Sequence, residues 1–190
     1  MKLVFATNNP NKLSEIRSLV PDGIEILSLK DINCLEELPE TQNTLIGNSL
    51  QKAKYISETY GCNCFADDTG LEIDILNGEP GVYSARYAGK GCNAEDNMNK
   101  VLEKLEGEEN RKAKFRTVIA LIIDREEYLF EGECQGLITK NKSGVEGFDY
   151  DPIFMPLRHN RTFAEMTKYE KGAISHRGKA VEKLVHFLHL

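Results

Sequence analysis

An α/β protein with a mixed sheet is what this sequence predicts, on three observations. Strand-like and helix-like stretches alternate from the start of the chain. Two long β-rich stretches, Lys114 to Ile123 and Tyr128 to Ile138, flank Asp124-Arg125-Glu126-Glu127 and read as an antiparallel hairpin. The chain closes on an amphipathic helix with Val181, Leu184, Val185 and Leu188 on one face. Alternating elements followed by a hairpin give a mixed sheet, with the hairpin reaching toward a second lobe.

The elements follow in order. Leu3 to Ala6 reads as a first strand. Thr7-Asn8-Asn9-Pro10-Asn11 is a polar turn, with Asn9 placed as an N-cap and Pro10 at the first helical position. Leu13, Ile16, Leu19 and Val20 mark the inner face of the helix that follows, and Pro21-Asp22-Gly23 ends it. Ile24 to Leu29 reads as a second strand. Thr44 caps a second helix with Ile46, Leu50 and Ala53 inward, and Gly61 closes it. Cys64-Phe65-Ala66 reads as a short buried strand that empties into Asp67-Asp68 and a Thr69-Gly70 turn. Leu71, Ile73 and Ile75 alternate with Glu72 and Asp74, the pattern of a half-buried strand. Asn77-Gly78 and Pro80-Gly81 are turns, and Ala94 to Leu105 is an amphipathic helix. Gly144 to Asp151 is a loop hinged at Gly144 and Gly147, and Ser175 caps the last helix.

With 190 residues the chain builds one sizeable core, or one core with a modest lobe, and a single domain over residues 1–190 is expected. No apolar run reaches membrane-spanning length and the start lacks a signal-peptide pattern, so a cytoplasmic protein is expected. Five cysteines without a Cys-x-x-Cys pair argue for reduced thiols rather than a zinc site or a disulfide framework. A net charge of −6 excludes broad gripping of a nucleic-acid backbone, but leaves room for a small phosphorylated ligand held by a few cations.

Five segments carry candidate chemistry. Asp67 and Asp68 are placed to meet a hard divalent cation, which in turn meets substrate phosphates; a solvated turn has the same sequence. Thr7 to Lys12 sets polar side chains and a lysine at a helix N-terminus, which suits an anion or simply caps a helix. Glu40-Thr41 is a loop acid, with Lys52 on the polar side of the next helix. Phe148-Asp149-Tyr150-Asp151-Pro152 either stacks on a base and accepts its hydrogen bonds or tucks aromatics into the core. In Lys171-Gly172-Ala173-Ile174-Ser175-His176-Arg177, two basic residues fall in the first turn of the last helix, where they oppose its dipole. A local rule broken in this way points to function.

Taken together, Thr7-Asn8-Asn9-x-x-Lys12, Leu38-Pro39-Glu40-Thr41, Ala66-Asp67-Asp68-Thr69-Gly70-Leu71, Pro80-Gly81-Val82-Tyr83-Ser84-Ala85-Arg86-Tyr87, Phe148-x-Tyr150-Asp151-Pro152 and Ser175-His176-Arg177 resemble the inosine/xanthosine triphosphate pyrophosphatase family, bacterial branch, over essentially the whole chain. The resemblance implies an elongated two-lobed mixed-sheet fold with a central substrate cleft, a homodimer, and Mg²⁺-dependent hydrolysis of ITP, dITP and XTP to the monophosphate and pyrophosphate. It implies that Thr7, Asn8, Asn9 and Lys12 cradle the phosphates, that Lys52 binds a phosphate, and that Pro10, Asn11 and Thr69 contact the substrate. Phe148, Asp149, Tyr150, Asp151, Lys171, His176 and Arg177 would recognise the base. Glu40, Asp67 and Asp68 would form the metal-binding acids, with Asp68 the proton acceptor. Neither nucleic acid nor membrane is an implied partner.

Two positions depart from the family pattern. Gly47-Asn48 stands where an acid usually precedes the asparagine, and Asp149 stands where glycine is usual. An Asp at a left-handed backbone position is among the less costly replacements. Pyrimidine or canonical nucleotides as substrates, and nucleotide binding without turnover, remain the rival readings.

Overall fold

The computed structural model describes residues 1–189. Six strands form one sheet in the order β2-β1-β3-β4-β5-β6: β1 (Lys2–Phe5), β2 (Glu25–Leu27), β3 (Cys64–Ile73), β4 (Lys112–Ile123), β5 (Glu126–Ile138) and β6 (Phe154–Pro156). β1 pairs in parallel with both β2 and β3, while β5 and β6 are antiparallel, so the sheet is mixed as the sequence predicts. The helices are α1 (Pro10–Leu19), α2 (Leu45–Tyr60), α3 (Ala94–Lys104), α4 (Lys168–Ile174) and α5 (His176–Leu188). No helix among the described residues is long and apolar enough to cross a membrane.

The chain divides into two compact units. One comprises Met1–Asp68, Thr117–Gly132 and the chain from Arg177 on; the other comprises Thr69–Arg116 and Glu133–His176. β3, β4 and β5 contribute residues to both.

In the first unit, strand alternation sorts side chains onto two faces. Leu3 and Phe5 of β1 and Phe65 of β3 pack with Ile16 of α1 and Ala180, Val181 and Leu184 of α5. Val4 of β1, Ala6 just beyond it, and Cys64 and Ala66 of β3 pack with Ala53 and Ile56 of α2. The Phe5 and Phe65 rings stack at 4.6 Å, which fixes β1 against β3 on the first face. The second unit has its own core around Leu71, Ile73, Met98, Val101, Phe115, Phe154 and Phe163.

Several local signals act as expected. Asn9 Oδ1 accepts from the Asn11 and Lys12 N–H groups, with Pro10 at N1. Thr44 Oγ1 accepts from the Gly47 N–H, and Gly61 at φ 64 closes α2. The hairpin turns on two residues, Asp124 and Arg125, both at positive φ, the geometry that matches the strand twist.

Three local readings are corrected. Asp67 to Gly70 do not leave the strand; β3 runs through them to Ile73. Gly70 is glycine for closeness, since a Cβ there would stand 2.6 Å from the Gly81 carbonyl oxygen. The stretch past Ile73 is a short 3₁₀ turn, Asp74–Leu76, instead of more strand. The inner face of α2 is Leu45, Asn48, Ser49, Lys52, Ala53 and Ile56, so Lys52 lies on the buried side, not the polar one. β6 and α4 had not been expected. The signal for α4 is present as a capping box, Thr167 with Glu170, each side chain bonded to the other's backbone N–H.

Candidate active site

The alternation of β3 governs the chemistry of the first unit. Asp67 follows Phe65 onto the face covered by α1 and α5; Asp68 follows Ala66 onto the face covered by α2. Adjacent in sequence, the two carboxylates meet different partners.

Asp67 is fully buried. Its Oδ1 accepts from Lys12 Nζ at 2.9 Å and its Oδ2 from Arg177 Nε at 2.8 Å. Arg177 Nη1 donates in turn to Glu15 Oε2 at 2.6 Å, and both of those side chains are buried. Burial alone would raise the Asp67 carboxyl, but the charges of Lys12, Arg177 and Lys52 overcome it and hold the group well below the ordinary carboxylate range. Burial works against the Lys12 ammonium and the Arg177 guanidinium as well. For Lys12 the charges of Asp67 and Asp68 and the hydrogen bond to Asp67 together outweigh it; for Arg177 Asp67 and Glu15 do, and both cations sit above their ordinary values.

Asp68 has the opposite character. Burial raises its carboxyl, the Glu40 and Asp67 charges add to the rise, and Lys52 and Lys12 oppose it; the net shift is upward. Asn48 Nδ2 donates to Asp68 Oδ2 at 3.3 Å. Lys52, buried on α2, donates to Glu40 Oε1 and to the Asp67 carbonyl oxygen, both at 2.6 Å. Glu40 is the most exposed of this group.

The turn before α1 is largely occupied with its own structure. Asn9 caps the helix, Thr7 Oγ1 accepts from the Asn9 N–H, and Asn8 bonds the Leu38 N–H and the Glu36 carbonyl. Asn8 therefore fixes the loop leading to Glu40. Pro10 and Asn11 are exposed on the first turn, and Thr69 is a half-buried position of β3.

In the second unit, Lys171 Nζ donates to Asp151 Oδ2 at 2.6 Å, both groups buried. The Lys171 ammonium lies 4.7 Å from the centre of the Phe148 ring. His176 is buried and stacks on Phe115 at 4.6 Å. The Phe148 N–H donates to Asp151 Oδ2 at 3.0 Å. Gly147 allows this: its φ is 73, and a Cβ would run into the Asp151 carboxylate. Asp149 takes φ 54, the left-handed conformation for which aspartate is a tolerable substitute for glycine. Tyr150 is buried, and its hydroxyl donates to the Ser84 carbonyl at 2.5 Å.

The structure thus brings Lys12, Lys52, Glu40, Asp67 and Asp68 together in one unit, and Phe148, Asp151, Lys171 and His176 in the other. Arg177, expected beside His176 at the base, donates through Nε to Asp67 and through Nη1 to Glu15. Among the described residues, no group of three His, Cys, Asp or Glu side chains is arranged to hold a metal ion. Glu40 and Asp68 suit a hard cation, which needs only one or two carboxylates when phosphates and waters complete its shell. Asp67 does not suit it, because both its oxygens already accept from cations. Glu15 and Asn48 had not been singled out. Glu15 follows Lys12 by three residues on α1, but its partner is 162 positions away, beyond any local pattern.

Fold and site together define a mixed α/β protein with a lysine–carboxylate cluster suited to phosphates and an aromatic, polar cluster suited to a planar ring. The Ham1 family model matches residues 3–187, and the chain belongs to the Ham1 family. It is 56% identical over 188 residues to a dITP/XTP pyrophosphatase of Flavobacterium johnsoniae, covering 99% of this chain and 98% of that one. It is 52% identical over 188 residues to a dITP/XTP pyrophosphatase of Porphyromonas gingivalis, covering 98% and 97%. The structure of a Ham1 protein from Coxiella burnetii superposes with a TM-score of 0.90 at 38% identity, covering 100% of this chain and 98% of that one. The Ham1 protein of Staphylococcus aureus gives 0.89 at 37%, with the same coverage.

Proposed function

We propose that this chain hydrolyses the noncanonical purine nucleoside triphosphates ITP, dITP and XTP to the monophosphate and pyrophosphate, clearing them from the nucleotide pool before they enter DNA or RNA. The observation that carries the reading is the buried Asp68 carboxyl, set beside Lys52 and within reach of the Asn48 amide. Such a group accepts the proton of a water attacking phosphorus. The names of relatives above half identity agree with it.

Lys12 and Lys52 carry the positive charge that a triphosphate requires, and Asp67 holds Lys12 in place. Glu40 and Asp68 would hold Mg²⁺, which would neutralise further phosphate charge when bound with the substrate. The Phe148 face stacks on the base. His176 and Lys171 supply donors for a 6-oxo group; adenine presents a 6-amino group there and leaves those donors unmet. We further propose a cytoplasmic homodimer, the expectation drawn from the family resemblance.

A pyrophosphate-release assay across ITP, XTP, dITP, GTP and ATP, with and without Mg²⁺, tests the reading. The expected result is turnover of the first three well ahead of GTP and ATP, with pyrophosphate as product and dependence on the cation. Release of orthophosphate, or equal rates on ATP, overturns it.

A further inference from the structure

α2 presents three residues to the loop that carries Glu40, at positions 48, 51 and 52, one helical turn in all. Gln51 Oε1 accepts from the Thr41 N–H at 2.9 Å, and Gln51 Nε2 donates to Thr41 Oγ1 at 2.8 Å. Lys52 holds the Glu40 carboxylate. Asn48 is 1% exposed, and its Oδ1 accepts from the Gln42 N–H at 2.9 Å. The opposite end of the same amide faces Asp68. The assignment of the amide is self-consistent. A backbone N–H must meet the carbonyl oxygen, and a carboxylate must meet the NH₂ group.

We infer that Asn48 is a positioning residue for the proton acceptor, locking the Asp68 carboxylate into one rotamer and fixing it relative to the loop that carries Glu40. The inference rests on the pyrophosphatase reading and on Asp68 as the group that takes the proton. Asn48 reaches no reacting atom itself. It acts through Asp68, whose oxygen must face the attacking water to within a fraction of an ångström; misplacement by about 1 Å costs about 100-fold in rate. The bond to Asp68 is long at 3.3 Å, so its effect is expected in orientation more than in stability.

The swap Asn48→Asp separates the two ends of the amide. It is nearly isosteric and keeps an acceptor for the Gln42 N–H. It replaces the donor facing Asp68 with an acceptor that repels it. Gln51→Ala serves as the control, loosening the Glu40 loop without touching Asp68. Wild type, N48D, N48A and Q51A are compared for ITP hydrolysis at saturating Mg²⁺, for binding of a non-hydrolysable ITP analogue, and for thermal unfolding.

The expected result is a fall in kcat of about 100-fold for N48D, with KM and analogue affinity within threefold of wild type, while Q51A keeps kcat within about fivefold. N48A should lose kcat similarly, with a lower Tm because the Gln42 N–H also loses its acceptor. An N48D variant with kcat within threefold of wild type overturns the inference, as does a loss confined to KM. If N48D does not fold, N48A decides by the same kcat–KM split, read on whatever fraction binds the analogue. A wild-type protein that releases no pyrophosphate from ITP overturns the functional reading and this inference with it. A competent wild type with an unaffected N48D overturns this inference alone.

Discussion

Removing the guanidinium of Arg177 separates two roles that the sequence runs together. The family resemblance puts Arg177 at the base; the structure buries it between Asp67 and Glu15, with N···O distances of 2.8 and 2.6 Å. Arg177→Gln leaves two buried carboxylates without the cation they share, and breaking a buried pair from one side costs about 3–5 kcal/mol. Arg177→Lys keeps the charge but gives up the fork that bonds both acids at once. Loss of one charge-assisted bond costs about 1.5–3 kcal/mol. For a chain of this size about 1 kcal/mol moves Tm by about 2–4 °C. The Gln variant should therefore melt about 6–20 °C lower and the Lys variant about 3–12 °C lower. Thermal and urea unfolding measure this, alongside kcat/KM on ITP and ATP. Because Arg177 bears on Asp67 and through it on Lys12, turnover should fall on both substrates together and the ITP/ATP ratio should hold within about threefold. An unchanged Tm with a collapsed ratio would show that Arg177 reads the base, and the ion-pair argument would be refuted.

Three further outcomes are expected. Asp68→Asn should keep the fold and bind nucleotide, but lose about two to four orders of magnitude in kcat, the usual worth of a general base; a rate near wild type in single-turnover assays would remove Asp68 from that role. Gly47→Glu would restore an acid at N3 of α2 and, by helix propensity alone, gain about 1 kcal/mol. An added Cβ, however, would stand 2.7 Å from Gln42 Cβ and 2.9 Å from Thr44 Oγ1, and overpacking of this kind costs about 1–3 kcal/mol. We expect a lower Tm and a disturbed Glu40 loop, and a Tm rise would contradict that. Burial pushes the Cys64 thiol up to about 12, so at pH 8 its thiolate is about one part in 10⁴. With a thiol reagent the exposed Cys92 should react first and Cys62 more slowly, with Cys34, Cys64 and Cys134 reacting only on unfolding. Peptide mapping that finds Cys64 labelled early in folded protein would rule this out.

What the sequence disclosed and what it hid follow from the range of the signals. Asn9-Pro10, Thr44, Gly61 and the hairpin at Asp124 act within four residues of themselves, and each is readable, although the turn has two residues where the sequence suggests four. Lys52 reads as solvated because a lysine on a helix usually is, yet it is buried. Its burial becomes intelligible only with Glu40 and the Asp67 carbonyl in view. The pairing of Arg177 with Asp67 spans 110 positions and that with Glu15 spans 162. The two basic residues that open α5 broke the dipole rule, and this was read as a mark of function. For Arg177 the compensation is structural, two buried carboxylates. Gly70 misled in a different way. A glycine after a threonine suggests a turn, but here it makes room for a backbone carbonyl inside a continuing strand.

The continuation of β3 through Asp67 and Asp68 carries the chemistry. Had the strand ended at Ala66, both acids would have entered one loop and shared one environment, and two adjacent carboxylates would have competed for the same cations. Because β3 continues, its alternation sends Asp67 to α1 and α5 and Asp68 to α2. Both carboxyls are buried, and burial pushes both upward; the neighbours decide the outcome. Lys12 and Arg177 contact Asp67 directly and pull it down, so it stays ionised and works as an anchor for the cations. For Asp68 the charges of Lys52 and Lys12 oppose its own burial and the repulsion of Glu40 and Asp67 without overcoming them, and it stays raised. Two titratable groups whose surroundings drive them apart are how one site separates a fixed charge from a proton acceptor. In this chain the separation is made by the two-residue period of a strand, which sends neighbouring carboxylates to opposite faces.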